Sequence, residues 1–166
     1  MRSKIKIGVA IAVALSVSSS AYADWQYTKW GSSPAQVLAA SNGKASELTN
    51  EEKVEYADSS KGSTLTPMLK APYSAGRHEF TAYFYFDKRT KGLAYVNLRK
   101  PEPEPAAGLY GALLQKYGKP VMEEENRIRT YAVWHTKRDQ ITYYLMEGVS
   151  EAVSYRPLQT KDNKGL

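Results

Sequence analysis

Apolar and polar positions alternate most clearly between Glu79 and Arg99. One arm reads Glu79-Phe80-Thr81-Ala82-Tyr83-Phe84-Tyr85-Phe86, and the other reads Leu93-Ala94-Tyr95-Val96-Asn97-Leu98-Arg99. A polar connector, Asp87 to Gly92, lies between them. Aromatic and branched residues in two arms around such a connector predict a β-hairpin. Side chains alternate across a strand, so Phe80, Ala82, Phe84 and Phe86 share one face of the first arm. Ala94, Val96 and Leu98 share one face of the second. These two faces together predict one core surface.

The same reading extends in both directions. Upstream, Ser33 can cap a helix with Pro34 at its first position and Gln36 closing a capping box. Val37 and Leu38 then point inward, and Asn42-Gly43 ends the helix. Trp25 and Trp30 flank it; two aromatics beside a short helix read as a lid on the core, with a ligand-facing role as the alternative. From 44 to 78 the pattern is weak. Thr49-Asn50-Glu51-Glu52 can open a short helix through Val54 and Tyr56, whereas Ser59 to Ser63 reads as a surface loop. Leu65 to Ala71 has strand character, with Pro67 restricting it to a sheet edge or a strand start. Pro72 and Gly76 bracket an expected turn.

Downstream, Pro101 to Pro105 predicts a short stiff connector whose Glu102 and Glu104 precede a helix, where the helix dipole favours them. A Pro-rich ligand for a signalling domain is the other reading of that segment. Ala106 to Tyr117 carries Leu109, Leu113 and Tyr117 at four-residue steps with Ala112 on the same side, and Tyr110 and Leu114 widen the stripe. Gly118 and Pro120 stop it. After Glu123-Glu124-Glu125 the period returns to two. Ile128, Thr130, Ala132 and Trp134 share a strand face, and Ile141, Tyr143 and Leu145 line the next strand. Val153 and Tyr155 sit on a last one, which Pro157 closes. The class that follows is α+β: a two-layer domain of helix, strands, helix, strands, with an antiparallel sheet packed on one side by helices. Each half is a helix followed by a meander, although no sequence repeat accompanies that plan.

The first 23 residues belong to a different logic. Arg2, Lys4 and Lys6 form a basic start, Ile7 to Val17 is apolar and uncharged, and Ala21-Tyr22-Ala23 ends in a small-residue cleavage pattern. This predicts a secretory signal peptide, with a retained interfacial anchor as the alternative; the run is too short for a membrane span. The expected division is therefore signal peptide 1–23, one domain over 24–158 and a loose tail over 159–166. Removing residues 1–23 leaves 143 of the 166, a single-domain length that needs no disulfide staples. The chain has no Cys, which excludes disulfides, thiolate chemistry and a lipidated Cys. The signal segment holds three of the 23 basic residues and none of the 17 acidic ones, so the mature net charge falls from +6 to +3. The expected product is a soluble periplasmic, or extracellular, protein without stable membrane insertion.

Chemistry is sparse. His78 and His135 are the only two His residues. Each adjoins a charged turn, outside any nucleophile elbow or metal-spaced pair. The Glu123-Glu124-Glu125 cluster reads as solvated turn charge, because adjacent strand positions face opposite ways and do not converge on a cation. Lys119 lies near a helix end with no phosphate-loop pattern before it. Neither a catalytic residue nor a metal or cofactor site is predicted. Tyr83 and Tyr85 share the face opposite the Phe row, and Arg127 and Arg129 share a face with Tyr131. If those strands are neighbours, they form a basic and aromatic outer sheet face, the composition of protein interfaces and of single-stranded nucleic-acid platforms. An exported protein rarely meets nucleic acid, so a protein or envelope component is the expected partner; an ordinary amphipathic sheet surface is the structural alternative. Either a binding or inhibitor-like module or an envelope hydrolase with a spatially assembled site accommodates these features; the missing catalytic motifs favour the former.

Trp30 to Val37, the hairpin and Tyr117-Gly118-Lys119-Pro120 together resemble small uncharacterised exported proteins of Gram-negative bacteria. The Gly31-Ser32-Ser33-Pro34-Ala35-Gln36-Val37 opening is also similar to the helix start in the β-lactamase-inhibitor-protein-like α/β fold, although Ser32 stands where that opening usually has Met. That resemblance implies helices paired with a concave antiparallel sheet that grips partner proteins, as in secreted enzyme inhibitors and a small outer-membrane assembly lipoprotein. The lipoprotein's anchoring Cys has no counterpart here.

Overall fold

The computed structural model describes residues 25–58, 62–100 and 108–159. Residues 1–24, 59–61, 101–107 and 160–166 lie outside the described residues, and with them the expected signal peptide, the expected Pro101 to Pro105 connector and most of the expected C-terminal tail. Within them the chain is α+β and dominated by sheet. Helix α1 (Pro34–Ala40) is followed by strands β1 (Ser46–Glu47), β2 (Tyr56–Asp58), β3 (Ser63–Ala75), β4 (His78–Asp87) and β5 (Leu93–Arg99). Helix α2 (Leu109–Tyr117) then leads to β6 (Met122–Glu125), β7 (Arg129–His135), β8 (Asp139–Met146) and β9 (Ser150–Pro157). All nine strands belong to one antiparallel sheet ordered β1-β3-β4-β5-β9-β8-β7-β6, with β2 also paired to β3. The two helices have only 7 and 9 residues, so they cover part of a sheet rather than build a layer of equal weight.

The short helix α1 forms because its entry is capped. Ser33 Oγ accepts from Gln36 N, and Gln36 Oε1 accepts from Ser33 N at 2.8 Å, which satisfies two otherwise orphaned donors. Val37 is buried against the sheet. The predicted Phe row is the centre of the core: Phe80, Ala82, Phe84 and Phe86 are all buried, and Trp25 packs edge-on to Phe84 at 5.4 Å. Trp30 packs against the same cluster and donates from Nε1 to Asp139 Oδ1 at 2.8 Å. The two Trp residues are thus a lid on the core. Helix α2 buries Leu109 and Leu113, and Tyr110 stacks on Tyr143 at 5.2 Å. Trp134 donates to the Gly118 carbonyl at 2.8 Å and ties the end of that helix to β7. The residues before α1 join the hairpin directly: Gly31 N donates to the Leu93 carbonyl, and Leu93 N to the Ser32 carbonyl, each at 2.8 Å.

Several expectations need correction. In β5 it is Leu93, with Val96 and Leu98, that is buried; Ala94 is the extra residue of a bulge, because Tyr85 pairs Tyr95 while Phe86 pairs Leu93. A second bulge at Met68 changes the face of β3, so Leu65 and Pro67 lie on the outer side with Tyr85, and Leu69 and Ala71 on the core side. Pro67 sits where neither β1 nor β2 pairs with β3, so its missing N–H costs no ladder bond. Pro72 lies within β3 opposite Thr81, and the turn is the two residues Gly76 and Arg77. No helix forms at Thr49. The Glu52 carboxylate does accept from Thr49 N at 2.9 Å, but its other oxygen pairs with Lys70 at 2.5 Å. The next apolar residues, Val54 and Tyr56, are 71% and 51% exposed, too little buried surface to hold a second turn. Ala112 and Ile128 are exposed, Ile128 because it lies in the turn before β7. Glu123 to Glu125 form an edge strand rather than a turn. An acidic edge offers no apolar alternation to read, and its charge discourages a further strand.

Candidate functional site

The face of the sheet opposite the Phe row carries a groove. Register defines its floor. Tyr83 and Tyr85 on β4 stand opposite Asn97 and Tyr95 on β5. Asn97 stands opposite Ser154 on β9, and Ser154 opposite Thr142 on β8. Tyr144 on β8 stands opposite Tyr131 on β7. Two clefts open here, of about 700 Å³ over β5, β9, β8 and β7 and about 390 Å³ over β4 and β5. They share Tyr56, Tyr95, Asn97 and Arg99, so they form one groove across the sheet. The segment through Tyr56 forms the rim: Tyr56 stacks on Tyr95 with ring planes 12° apart.

The groove is preorganised by contacts among its own side chains. Arg99 lies over the Tyr83 ring at 5.1 Å and donates to the Tyr85 hydroxyl at 2.7 Å. Arg156 lies over the Tyr95 ring at 5.3 Å and pairs with the buried Asp58 at 3.6 Å. Tyr85 meets Tyr95 edge to face at 5.2 Å. Each cation–ring contact holds a guanidinium in place for about 0.5–1 kcal/mol at such exposure. Burial pushes the Tyr85 hydroxyl above the usual phenol range, with Arg99 pulling it partly back. Burial also raises Tyr95, against an opposing hydrogen bond from Ser154. Both phenols are therefore neutral at physiological pH and act as hydrogen-bonding rings.

Asn97 is the unusual member. It is 9% exposed, and its side chain hydrogen-bonds Tyr85, yet its Oδ1 has no protein partner. A buried acceptor without a partner is uncommon, because the lost hydration costs about 1–3 kcal/mol.

The five residues singled out from the sequence divide between the two ends of this surface. Tyr83 and Tyr85 line the smaller cleft, and Tyr131 lines the larger one. They are not neighbours, since β5, β9 and β8 lie between β4 and β7. Arg129 is committed to Glu124 at 2.7 Å, and Arg127 is an exposed residue of the turn before β7; neither lines the groove. The cations that do line it include Arg99 and Arg156. Sequence reasoning passed over Tyr95, Asn97 and Arg99, although their signal was present: they are the odd positions of the second hairpin arm, on the face opposite Val96 and Leu98.

The remaining candidate groups do not converge. His78 begins β4 and His135 ends β7, with three strands between them. Glu151 borders the larger cleft, but by register it belongs to the core face, where it accepts from the Tyr143 hydroxyl at 2.8 Å. Among the described residues no group of three or more His, Asp or Glu side chains is placed to hold a metal ion, and no helix is long and apolar enough to cross a membrane.

No protein-family model matches the chain, and neither does any curated protein. Among solved structures the chain is similar to a DUF4309 family protein, YjgB, from Bacillus subtilis, at 13% sequence identity and a TM-score of 0.46, over 76% of this chain and 79% of that one.

Proposed function

We propose that this protein is a non-catalytic binding module, exported to the bacterial envelope, that holds a macromolecular partner in the groove on its outer sheet face. The observation that carries the reading is the Asn97 carbonyl oxygen, buried and unpartnered where the two clefts meet. A partner bearing an N–H or O–H donor would relieve it. The surrounding Tyr and Arg side chains are the residue types that supply most of the energy at binding surfaces. Export rests on the basic start, apolar run and Ala21-Tyr22-Ala23 cleavage pattern. The similarity of Gly31 to Val37 to the β-lactamase-inhibitor-protein-like helix opening points the same way, because that fold grips partners with a concave sheet.

The test is affinity capture from an envelope extract with the mature chain, an Arg99→Ala, Tyr144→Ala double variant, and Arg127→Ala as a control outside the groove. The parent and the control should retain the same component, and the double variant should lose it while melting at nearly the parent temperature. Equal retention by all three proteins, or retention of nothing by the parent, would sink the reading. Intact mass of the exported protein checks the compartment: it should begin at Asp24, and a chain still carrying Met1 would contradict export.

A further inference from the structure

The groove's polar and aromatic groups define the chemistry of what fits it, an inference that rests on the binding reading above. Asn97 Oδ1 asks for a donor. Two aromatic pairs, Tyr56 stacked on Tyr95 and Tyr131 standing across the strands from Tyr144, border the larger cleft on its β5 and β7 sides. Between β5 and β7 lie three strand spacings, roughly 14 Å, which calls for an elongated ligand. The amide and hydroxyl groups of Asn97, Ser154 and Thr142 form one row over the first two of those spacings, from β5 to β8. Arg99 adds a positive charge whose side-chain contacts are the Tyr85 hydroxyl and the Tyr83 ring; among the described residues no carboxylate pairs with it. A guanidinium so placed favours a carboxylate.

A peptide satisfies this description poorly. A peptide that adds to a sheet as a strand does so at an open edge, where backbone pairs with backbone. The groove floor is made of interior strands whose backbone groups are already paired, so a peptide's own amides would be covered without partners. A sugar ring has a C–H face that suits the negative face of a tyrosine ring, and hydroxyls that both donate and accept. We propose that the groove binds an elongated acidic saccharide. A ring hydroxyl donates to Asn97 Oδ1, a sugar carboxylate pairs with Arg99, and rings rest on the two tyrosine pairs.

The test titrates the mature chain with defined probes. These are an oligogalacturonate, its methyl ester, a glycan-strand fragment bearing lactyl-ether carboxylates, a neutral chitin-type oligomer and a Glu-rich peptide. At least one of the two acidic glycans should bind, and which one does tells a uronic-acid source from a lactyl-ether source. Its affinity should fall at least about tenfold in Arg99→Gln and in Asn97→Asp, and stay unchanged in Arg127→Ala. Asn97→Asp keeps the side-chain shape while setting a negative charge against the sugar carboxylate; circular dichroism confirms that each variant is folded, and Tyr144→Ala replaces any that is not. Equal binding of neutral and acidic oligomers overturns the assignment. Binding of the peptide alone, lost in Arg99→Gln, overturns the saccharide while leaving the groove as a binding site. No binding by any probe, together with no groove-dependent capture from the envelope extract, overturns both.

Discussion

Replacing Gly92 by Ala tests the junction between the chain's first described segment and its central hairpin. Gly92 is buried, and its φ lies outside the left-handed region, so alanine meets no backbone strain of its own. On chain entropy alone the substitution should stabilise by about 0.4–1 kcal/mol. Space decides otherwise. A Cβ at residue 92 would stand 2.8 Å from both Gly31 Cα and Gly31 O, and 3.0 Å from Gly31 C. Carbon contacts settle at about 3.5–4.0 Å, so the two backbones must part by roughly 0.7 Å or more. The obstacle is backbone, pinned on either side by the Gly31–Leu93 and Leu93–Ser32 hydrogen bonds of 2.8 Å. Overpacking of this kind costs about 1–3 kcal/mol, and stretching the two bonds adds up to about 1 kcal/mol each. Less the entropic gain, the expected loss centres on about 2 kcal/mol. Urea unfolding of parent and variant measures it, and amide exchange should show Gly31 and Leu93 exchanging faster in the variant. A variant more stable than the parent would show that Gly31 does not abut Gly92 and would refute the argument.

Three further outcomes follow from the same structure. Phe84→Ala should cost about 3–5 kcal/mol in chemical denaturation, since Phe84 is fully buried against Trp25; a loss below about 1 kcal/mol would place it outside the core. Ser33→Ala should cost about 1 kcal/mol by removing the cap of α1, and no loss would mean that this helix is held by packing alone. Asp87 accepts from the backbone N–H groups of Thr90 and Arg89, each at 2.8 Å, and these bonds, Thr90 foremost, hold its carboxyl below the ordinary range. Its contribution is therefore present above the unfolded pKa near about 3.9 and is lost as pH falls through the lower folded value. The melting-temperature gap between parent and Asp87→Asn should be widest near neutral pH and close below about pH 4; a gap independent of pH would assign the effect to shape rather than charge.

Local chemistry carried the parts of the fold that could be read in advance. The Ser33 to Gln36 capping box, the Phe row of β4 and the Gly118 stop each depend on residues within one or two turns of chain. What escaped depends on partners. The bulges at Ala94 and Met68 are properties of a strand pair, so neither strand alone reveals which residue is extra. Glu123 to Glu125 became a strand because β7 offered an edge, not because the triplet has a strand pattern. The groove was half visible for the same reason. Period two placed Tyr83, Tyr85 and Tyr131 on strand faces correctly. Nothing in the chain told that β5, β9 and β8 would separate them and supply Asn97 and Arg99.

The seam between β5 and β9 has a consequence for how the chain reaches this structure. Apart from β1, every other pairing joins strands that follow one another along the chain, whereas this one joins residues 96–99 to residues 152–155. Two meanders can therefore form early from local contacts, while their union waits on closure of a long intervening loop. Until then each half presents a bare strand edge beside an apolar row, Val96 and Leu98 on one and Val153 on the other. Such an edge pairs as readily with another molecule as with its own missing half. The acidic strand β6 protects the finished sheet at one end, but the most adhesive edges exist only before the halves meet, so the yield of folded protein should depend on chain concentration during refolding rather than on the stability of the product.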